Sequence, residues 1–337
     1  MSSRNPAKVH RPAALLLLAG VLVLVALLSL RVGSIPVSTA DAVAALTRYD
    51  PDNYSQLVVR TMRLPRTVIG LGVGAALAAA GAAMQAATRN PLAEPSLLGV
   101  NAGASFAIVA AVYFGHMTHP LQYLWFAFAG ALGAAVLVYA IASAGGGASP
   151  VKLALAGVIV SALLGSWTTA LLILNKETLE MVRFWLAGSL AGRSLNLLPP
   201  VAPFLAAGLL GVLLVGRQLN TLSLGEETAR SLGMHTGRMR ALVAVLVMLL
   251  AGSAVALAGP VGFVGLAVPH IVRAWIGADY RWILPFCLVL GPALLLGADI
   301  LGRVMMRPAE VQVGVVTALV GAPFLIYLAR RRQVAEP

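Results

Sequence analysis

The sequence predicts an all-α polytopic membrane protein, a single domain over residues 1–337 with about ten transmembrane helices. Hydrophobic residues make up 59% of the chain and charged residues only 11%. Soluble domains have about 45–50% apolar and about 25% charged residues. Long apolar segments also recur from one end of the sequence to the other, so the composition reflects repeated crossings of a bilayer.

The apolar segments give the expected number of spans. A span needs about 20 apolar residues, because a helix rises about 1.5 Å per residue and the hydrocarbon is about 30 Å thick. A shorter segment, residues 261–277, is interrupted by Gly and Pro and is expected to be the tenth span. An even number of spans puts both termini on one side. The longer segments are residues 13–32, 64–86, 96–114, 121–142, 151–174, 196–215, 240–258, 283–302 and 313–329.

The distribution of Lys and Arg predicts the orientation. The segments on the side of the N-terminus hold more of these residues than the segments on the other side, so both termini are expected in the cytoplasm. The first apolar segment follows a basic stretch, as in a secretory signal. It has nearly the length of a true span, and the small-residue site at 40–42 lies far downstream, so we expect it to be retained. The Ala- and Arg-rich composition favours a bacterial inner membrane.

Several functional classes are disfavoured by what the spans lack. Their interiors carry almost no ionisable groups, whereas an ion-coupled secondary transporter needs a relay of such groups. His270 is the only histidine expected within a span, and a lone histidine there is more often structural than catalytic. We therefore predict that the chain is not an enzyme. Secondary transport remains the less favoured alternative.

No cofactor or metal is expected in this chain. None of its lysines, Lys8, Lys152 and Lys176, has the Gly before it and the Ser or Thr after it that a phosphate-binding loop requires. If ATP with Mg²⁺ drives the protein, another chain binds it. Cys287 is the single cysteine, which excludes an internal disulfide. The net charge is +12, and the basic residues that produce it lie at the expected membrane edges. This position indicates a role in membrane orientation and contact with anionic lipid rather than binding of nucleic acid.

A short polar segment, residues 219–233, lies between long apolar ones, and we call it the polar island. It is rich in helix formers, and Gly233 is suited to end a helix. A docking surface and an ordinary solvated loop are both compatible with this pattern. The apolar residues expected on one face, beside Glu226, Glu227 and Arg230, are Leu222, Leu224, Ala229 and Leu232.

Several sequence blocks together resemble the permease family that imports ferric siderophores, haem and cobalamin. They recur in the family's order from about residue 60 to the end of the chain, and as a set they are highly specific. The blocks are Arg63-Leu64-Pro65-Arg66, Gly81-Ala82-Ala83-Met84-Gln85, Asn90-Pro91-Leu92-Ala93-Glu94-Pro95-Ser96, Leu224-Gly225-Glu226, Ala229-Arg230, Leu232-Gly233, Gly262-Phe263-Val264-Gly265-Leu266, Pro269-His270-Ile271-Val272-Arg273, Ala298-Asp299-Ile300, Arg303 and Val313-Gly314-Val315-Val316-Thr317.

The resemblance implies the architecture of a type II ABC importer permease. In that family two permease subunits line a central path, a cytoplasmic ATPase dimer binds ATP with Mg²⁺, and an extracytoplasmic binding protein delivers the substrate. A ferric siderophore is the expected substrate, with cobalamin or haem as alternatives. Whether the chain pairs with itself or with a sister permease stays open.

The resemblance also assigns a role to the polar island. It corresponds to the family's coupling helices, expected at about residues 217–238, which seat in a groove of the ATPase. The residues implied in this contact are Leu224, Gly225, Glu226, Ala229, Arg230, Leu232 and Gly233.

Two further sites follow from the resemblance. Arg63, Arg66 and Arg303 match the basic pockets that receive a glutamate from each lobe of the binding protein, and an arginine fork is suited to gripping a carboxylate. Contact with lipid phosphates is the alternative for these arginines. Asp299 and Arg303 are four residues apart on an expected helix and are predicted to pair. The cytoplasmic gate is expected at Ser149, Pro150, Val151 and Lys152.

Overall fold

The computed structural model describes residues 10–144 and 150–333, and these residues contain helices but no strands. Most of the helices are α-helical. A π-helical turn, Val59–Arg63, and two short 3-10 turns, Pro95–Leu98 and Leu195–Leu197, supplement them. The α-helices are α1 (Arg11–Arg31), α2 (Thr39–Thr47), α3 (Tyr54–Val58), α4 (Leu64–Thr88), α5 (Val100–Gly115), α6 (Pro120–Ser143), α7 (Pro150–Leu174), α8 (Lys176–Leu186), α9 (Leu198–Leu214), α10 (Gly216–Ser223), α11 (Glu226–Ser231), α12 (Thr236–Ala258), α13 (Val264–Ile276), α14 (Tyr280–Met305) and α15 (Val313–Gln333).

The predicted apolar segments all coincide with apolar helices. Among the described residues, seven helices are long and apolar enough to cross a membrane. They are α1, α6, α7, α9, α12 and α14 together with the continuous helix from Tyr54 to Thr88. Three shorter apolar helices correspond to the remaining segments: Val100–Gly115, Val264–Ile276 and Val313–Phe324. The all-helical membrane fold that composition and segment length predicted is therefore confirmed.

Helix α4 forms the centre of the bundle. In its most apolar stretch 83% of the residues are buried, against 11% for α1 and 17% for α7. Its small residues permit this position, because they let neighbouring backbones approach closely. A Cβ added at Gly81 would lie 1.8 Å from the carbonyl oxygen of Gly265 in α13, and one added at Gly74 would lie 2.6 Å from the backbone of Pro292 in α14.

The bundle has two ends. We call the end where α1 and α14 finish and α4 begins the arginine end, and the opposite end the polar-island end. At the polar-island end, the Nη2 atom of Arg11 in α1 donates a hydrogen bond to the carbonyl oxygen of Ile276, 3.0 Å away. At the arginine end, the amide of Gly314 in α15 donates to Gly188 at 2.9 Å. Helix α1 therefore starts, and α15 finishes, at the polar-island end.

The tenth apolar segment is a half-length helix. Gly259 ends α12 with a φ of +76°, and Phe263 starts α13 with a φ of +68°. The non-helical backbone between them is enclosed by protein: a Cβ at Gly259 would lie 2.1 Å from the carbonyl oxygen of Trp185. Non-helical backbone at membrane depth requires such enclosure, because lipid offers no hydrogen-bonding partners. The Gly and Pro residues that shorten this segment in the sequence mark the break.

Candidate functional sites at the two ends of the bundle

The polar island is helical, and it divides into α10 and α11. The division falls at Gly225, whose φ of +113° is a conformation that side-chain-bearing residues rarely adopt. Buried Leu219 and Leu222 hold α10 against the bundle. The predicted coupling region, residues 217–238, thus contains two short helices followed by the start of α12.

Gly233 ends α11, as predicted. Its φ is +81°, and its amide donates to the carbonyl oxygen of Arg230 at 2.9 Å. The amide of Met234 donates to the carbonyl oxygen of Ala229 at 3.0 Å. These two bonds form a Schellman motif, which satisfies the last carbonyls of a helix and fixes the direction in which the chain leaves it.

The apolar residues of the polar island point in two directions. Leu222 and Ala229 are buried against the rest of the chain, with exposed fractions of 4% and 0%. Leu224 and Leu232 are exposed at 62% and 66%. The prediction of one shared apolar face is therefore wrong, because on each side of Gly225 one of these residues is buried and the other is exposed. The result is a pair of outward-facing leucines on either side of a short, capped helix.

Glu226 connects α11 to α12. Its carboxylate accepts from Nη2 of Arg230 at 2.6 Å and lies 3.2 Å from Nη1 of Arg240. All three side chains are partly exposed, so the pairs contribute little to stability. They connect the first turn of α11 to α12 through one carboxylate.

At the arginine end, Arg66 is bound to two carboxylates of the same chain. Its Nε and Nη2 atoms grip Asp299, with Nη2 2.7 Å from Oδ1, and its Nη1 donates to Glu310 Oε2 at 2.6 Å. The second oxygen of Glu310 accepts from Ser34 Oγ at 3.1 Å. Burial alone raises the pKa of Glu310, but its contacts with Arg66 and Ser34 outweigh burial, and the pKa is lowered.

Arg303 shares Asp299 with Arg66. The predicted pair of Asp299 and Arg303 is confirmed, and both side chains are almost fully buried, at 0% and 1% exposure. Nη1 of Arg303 also donates to the carbonyl oxygens of Ser29, at 2.7 Å, and Val32, at 3.1 Å. One carboxylate therefore joins α4 to α14, and Arg303 extends the connection to the end of α1.

Arg63 caps the end of α1. It donates to the carbonyl oxygen of Leu30 at 3.0 Å and to those of Arg31 and Ile35. Terminal carbonyls of a helix lack partners within the helix and carry partial negative charge, so a guanidinium satisfies them well. The π-helical turn that ends at Arg63 brings the side chain to this position.

The structure brings the three predicted docking arginines together around one cavity of about 170 Å³. Each has acceptors within the chain, and the exposed fractions of Arg63, Arg66 and Arg303 are only 5%, 7% and 1%. Such burial leaves little guanidinium surface for lipid phosphates, and equally little for a carboxylate of another protein while these contacts hold. Sequence reasoning missed Glu310, although a carboxylate three residues after Arg307, close to the cluster in sequence, was an available signal.

The predicted gate lies partly outside the described residues, which do not include Ser149. Pro150, Val151 and Lys152 form the first turn of α7 at the polar-island end. Val151 is 68% exposed. Helix α7 as a whole is sparsely buried, which leaves its outer faces available to lipid or to another protein.

Comparison with known proteins agrees with this architecture. The model of the FecCD transport family matches residues 21–331. The chain is 47% identical over 288 residues to a probable siderophore transport system permease protein, YfiZ, of Bacillus subtilis, covering 85% of this chain and 86% of that protein. It is 51% identical over 278 residues to the ferric enterobactin transport system permease protein FepD of Escherichia coli, covering 82% of each.

A solved structure shares the fold. It is an inward-facing conformation of a metal-chelate type ABC transporter, with a TM-score of 0.83 and 30% sequence identity, covering 95% of this chain and 99% of that chain. The family match covers nearly the whole sequence, and the relatives align over most of their own length. The chain therefore belongs to the FecCD transport family.

Proposed function

We propose that this chain is the permease subunit of an ATP-driven importer that carries a ferric siderophore across a bacterial inner membrane. The observation that carries the proposal is the match to siderophore and ferric enterobactin permease proteins, which extends over 85% and 82% of the chain. The chain has no ATPase site of its own in this proposal, and ATP with Mg²⁺ is bound by a separate cytoplasmic ATPase.

The polar-island end is the proposed ATPase contact, and it faces the cytoplasm together with both termini. Two features support this assignment. Leu224 and Leu232 are exposed apolar side chains on an element that is otherwise polar, and a Schellman motif holds α11 in a fixed orientation. Glu226 acts within the chain, through Arg230 and Arg240, so that α11 presents the two leucines at a set angle.

The arginine end is the proposed docking site of an extracytoplasmic binding protein. Arg63, Arg66 and Arg303 line the cavity, and Arg303 is also bound to Asp299. Glu310, with 27% of its side chain exposed, is the outermost carboxylate on Arg66. A glutamate from the binding protein would approach the arginines beside Glu310 and share or replace its contact.

The substrate path is proposed to run between this chain and a second permease subunit, identical or related. The sparsely buried helix α7 is suited to that position, with the gate at residues 149–152 near its first turn. A largely apolar path without a tight substrate site favours passage of a bulky chelate. Specificity then resides in the binding protein.

Ion-coupled secondary transport is the competing function. Within the ten apolar helices, as far as the structure describes them, Asp299 is the only acidic residue, and it is ion-paired with Arg66 and Arg303. Both arginines bind this carboxylate in a buried cluster, so it is a structural group and not one of a series of ionisable groups along a path. The geometry therefore favours a transporter powered from outside the chain.

The decisive experiment starts with affinity purification of the chain from its native membrane and identification of the proteins that accompany it. The recovered complex is then reconstituted in vesicles with radiolabelled ferric enterobactin, haem or cobalamin. We expect an ATPase and a binding protein to co-purify, and ferric enterobactin uptake to require ATP. Uptake of cobalamin or haem alone contradicts the siderophore assignment, and uptake without ATP contradicts the importer.

A further inference from the structure

A chain of hydrogen bonds begins at Asn220 in the polar island. The Nδ2 atom of Asn220 donates to Asp279 Oδ1 at 2.7 Å, and its Oδ1 accepts from the backbone amide of Tyr280 at 2.7 Å. Asp279 is the N-cap of α14, and its side chain also accepts from the amide of Arg281. A single amide side chain therefore fastens α10 to the first turn of α14 through two bonds.

The chain of bonds continues from Tyr280 into the bundle. Tyr280 is 3% exposed, and its hydroxyl oxygen accepts from Nη1 of Arg273 at 3.1 Å. Arg273 lies in the last turn of α13, and its Nη2 donates to Oε1 of Gln85 in α4. Gln85, 2% exposed, donates from Nε2 to the carbonyl oxygen of Gly265 at 3.3 Å, at the other end of α13.

These contacts connect α10, α14, α13 and α4 in sequence. The last contact lies beside the close approach of Gly81 to Gly265, where the backbones of α4 and α13 touch. Because packed helices at such a contact cannot compress, a displacement of α13 must move it along or away from α4. Hydrogen bonds depend on the angle between donor and acceptor. A shift of α10 therefore moves the Tyr280 hydroxyl and, with it, the guanidinium group of Arg273.

The bonds along this path differ in kind from the buried ion pairs at the arginine end. Along it, Asn220, Tyr280 and Gln85 are neutral, and Arg273 has neutral partners in Tyr280 and Gln85. Arg273 and Asp279 are charged, so their bonds on the path are charge-assisted. No bond of the path joins two opposite charges, so a bond can be exchanged during a conformational change without separating a buried ion pair.

We propose that Asn220 and Tyr280 are positioning residues for transport, which carry a displacement of the polar island into α13 and its contact with α4. This inference rests on the proposed function, because the displacing partner is the ATPase. Neither residue contacts the substrate in this account. They act by holding the first turn of α14 to α10 and the end of α13 to that turn.

Tyr280→Phe tests the proposal, because it keeps the ring and removes only the hydroxyl. The variant is measured in the reconstituted complex with its ATPase and binding protein, and radiolabelled ferric enterobactin is the probe. We expect ATP hydrolysis within about twofold of wild type and uptake per ATP reduced about fivefold, the scale of coupling lost along such networks. Asn220→Ala is expected to act in the same direction. Tyr139→Phe is the matched control, because Tyr139 is 39% exposed and outside the network.

A second measurement does not depend on the substrate. Cys287, the only cysteine, is fully buried in α14 two turns from Tyr280, so its alkylation rate reports how far this region opens. We expect vanadate-trapped nucleotide to change that rate in wild type and in Tyr139→Phe, and to have little effect in Tyr280→Phe.

The outcomes separate this inference from the proposed function. Absence of ferric enterobactin uptake in wild type contradicts the proposed substrate, whereas the Cys287 comparison still decides the positioning role. The inference is overturned if Tyr280→Phe responds like wild type in the Cys287 assay, or if wild type shows no response to nucleotide. It is also overturned if uptake and ATP hydrolysis fall in parallel, which indicates a general structural defect.

Discussion

The two ends of the bundle use polar residues in opposite ways. At the arginine end the ion pairs are buried: Arg66, Arg303 and Asp299 have side-chain exposures of 9%, 1% and 0%. At the polar-island end the ion pairs are exposed, with 67% and 34% for Arg230 and Glu226. The network from Asn220 to Gln85 contains no bond between two opposite charges. The side-chain contacts at the arginine end are therefore suited to one fixed arrangement. Those at the polar-island end are suited to a change of partners.

The physical basis of this difference is the penalty for an unpaired buried charge. A buried ion pair adds little net stability, but removing one partner leaves a charge without water or counter-ion, which is strongly destabilising. A cluster of buried charges is therefore stable only while every partner is in place, and this makes the cluster rigid. Exposed ions are hydrated when separated, so they can change partners at small cost.

Removal of the shared carboxylate should have the largest effect. Asp299→Ala leaves Arg66 and Arg303 buried without their common partner, and we expect the free energy of unfolding to fall by about 3–5 kcal/mol. Thermal unfolding in detergent measures the loss. Asp52→Ala, at an exposed loop position, is the control and should change stability by less than about 0.5 kcal/mol. Equal effects of the two variants would contradict a stabilising role of the buried ion pairs at the arginine end.

The helix contact between the two ends should be the next most sensitive feature. In Gly81→Ala the new methyl group would lie 1.8 Å from the carbonyl oxygen of Gly265, so α4 and α13 must separate. We expect a loss of about 1–3 kcal/mol, as for overpacked cores, measured by thermal unfolding. Gly165→Ala is the matched control, since nothing lies within 4 Å of the added atom. Unchanged stability of Gly81→Ala would show that α13 has room to move.

Glu310 should give the arginine end a dependence on pH. Its pKa is lowered in the folded protein, so its contribution to stability is present above its unfolded pKa, about 4.3, and is lost as the pH falls through the folded pKa. Glu310→Gln should be less stable than wild type by about 1 kcal/mol at neutral pH. The two proteins should converge in acid. Unfolding temperatures between pH 7 and pH 3 measure this, and a constant difference across that range would contradict the assignment.

The smallest effect on stability is expected at the exposed pair of the polar island. Glu226→Gln should alter the free energy of unfolding by less than about 0.5 kcal/mol, because the pair is solvated. The affinity for the ATPase should nevertheless fall about fivefold, because Glu226 no longer connects α11 to α12 in the orientation that the ATPase binds. Binding of the ATPase to the chain in nanodiscs measures this. Glu227→Gln is the control, because Glu227 is exposed and makes no ion pair within the described residues. Equal affinities of the two variants would exclude a positioning role for Glu226.

Much of the fold could be predicted because lipid imposes simple requirements. A span must be apolar and about 20 residues long, so the segments at 64–86 and 283–302 were evident from composition. The Gly233 stop and the pair of Asp299 with Arg303 depend on local spacing, and both are confirmed. The segment at 261–277 was expected to be the tenth span, and the structure shows a shorter apolar helix there, Val264–Ile276.

The features that the sequence did not reveal depend on contacts between distant segments. Asp299 and Arg66 are 233 positions apart, and Glu310 and Arg66 are 244 positions apart, so no local pattern connects them. For the same reason the burial of the arginine cluster was not predicted. Gln85 and Arg273 stand in blocks that carry the family resemblance, but nothing in either block shows that the two side chains meet.

Helix α4 carries Arg66 near one end and Gln85 near the other, on an unbroken rod about 37 Å long. In the proposed function, the binding protein and the ATPase bind near opposite ends of this helix, and linkage makes their coupling energies reciprocal. If an ATPase at Leu224 and Leu232 alters the affinity of the arginine end for its partner by some factor, that partner must alter the ATPase affinity by the same factor. Titrating either partner in the presence of the other would therefore yield one coupling constant.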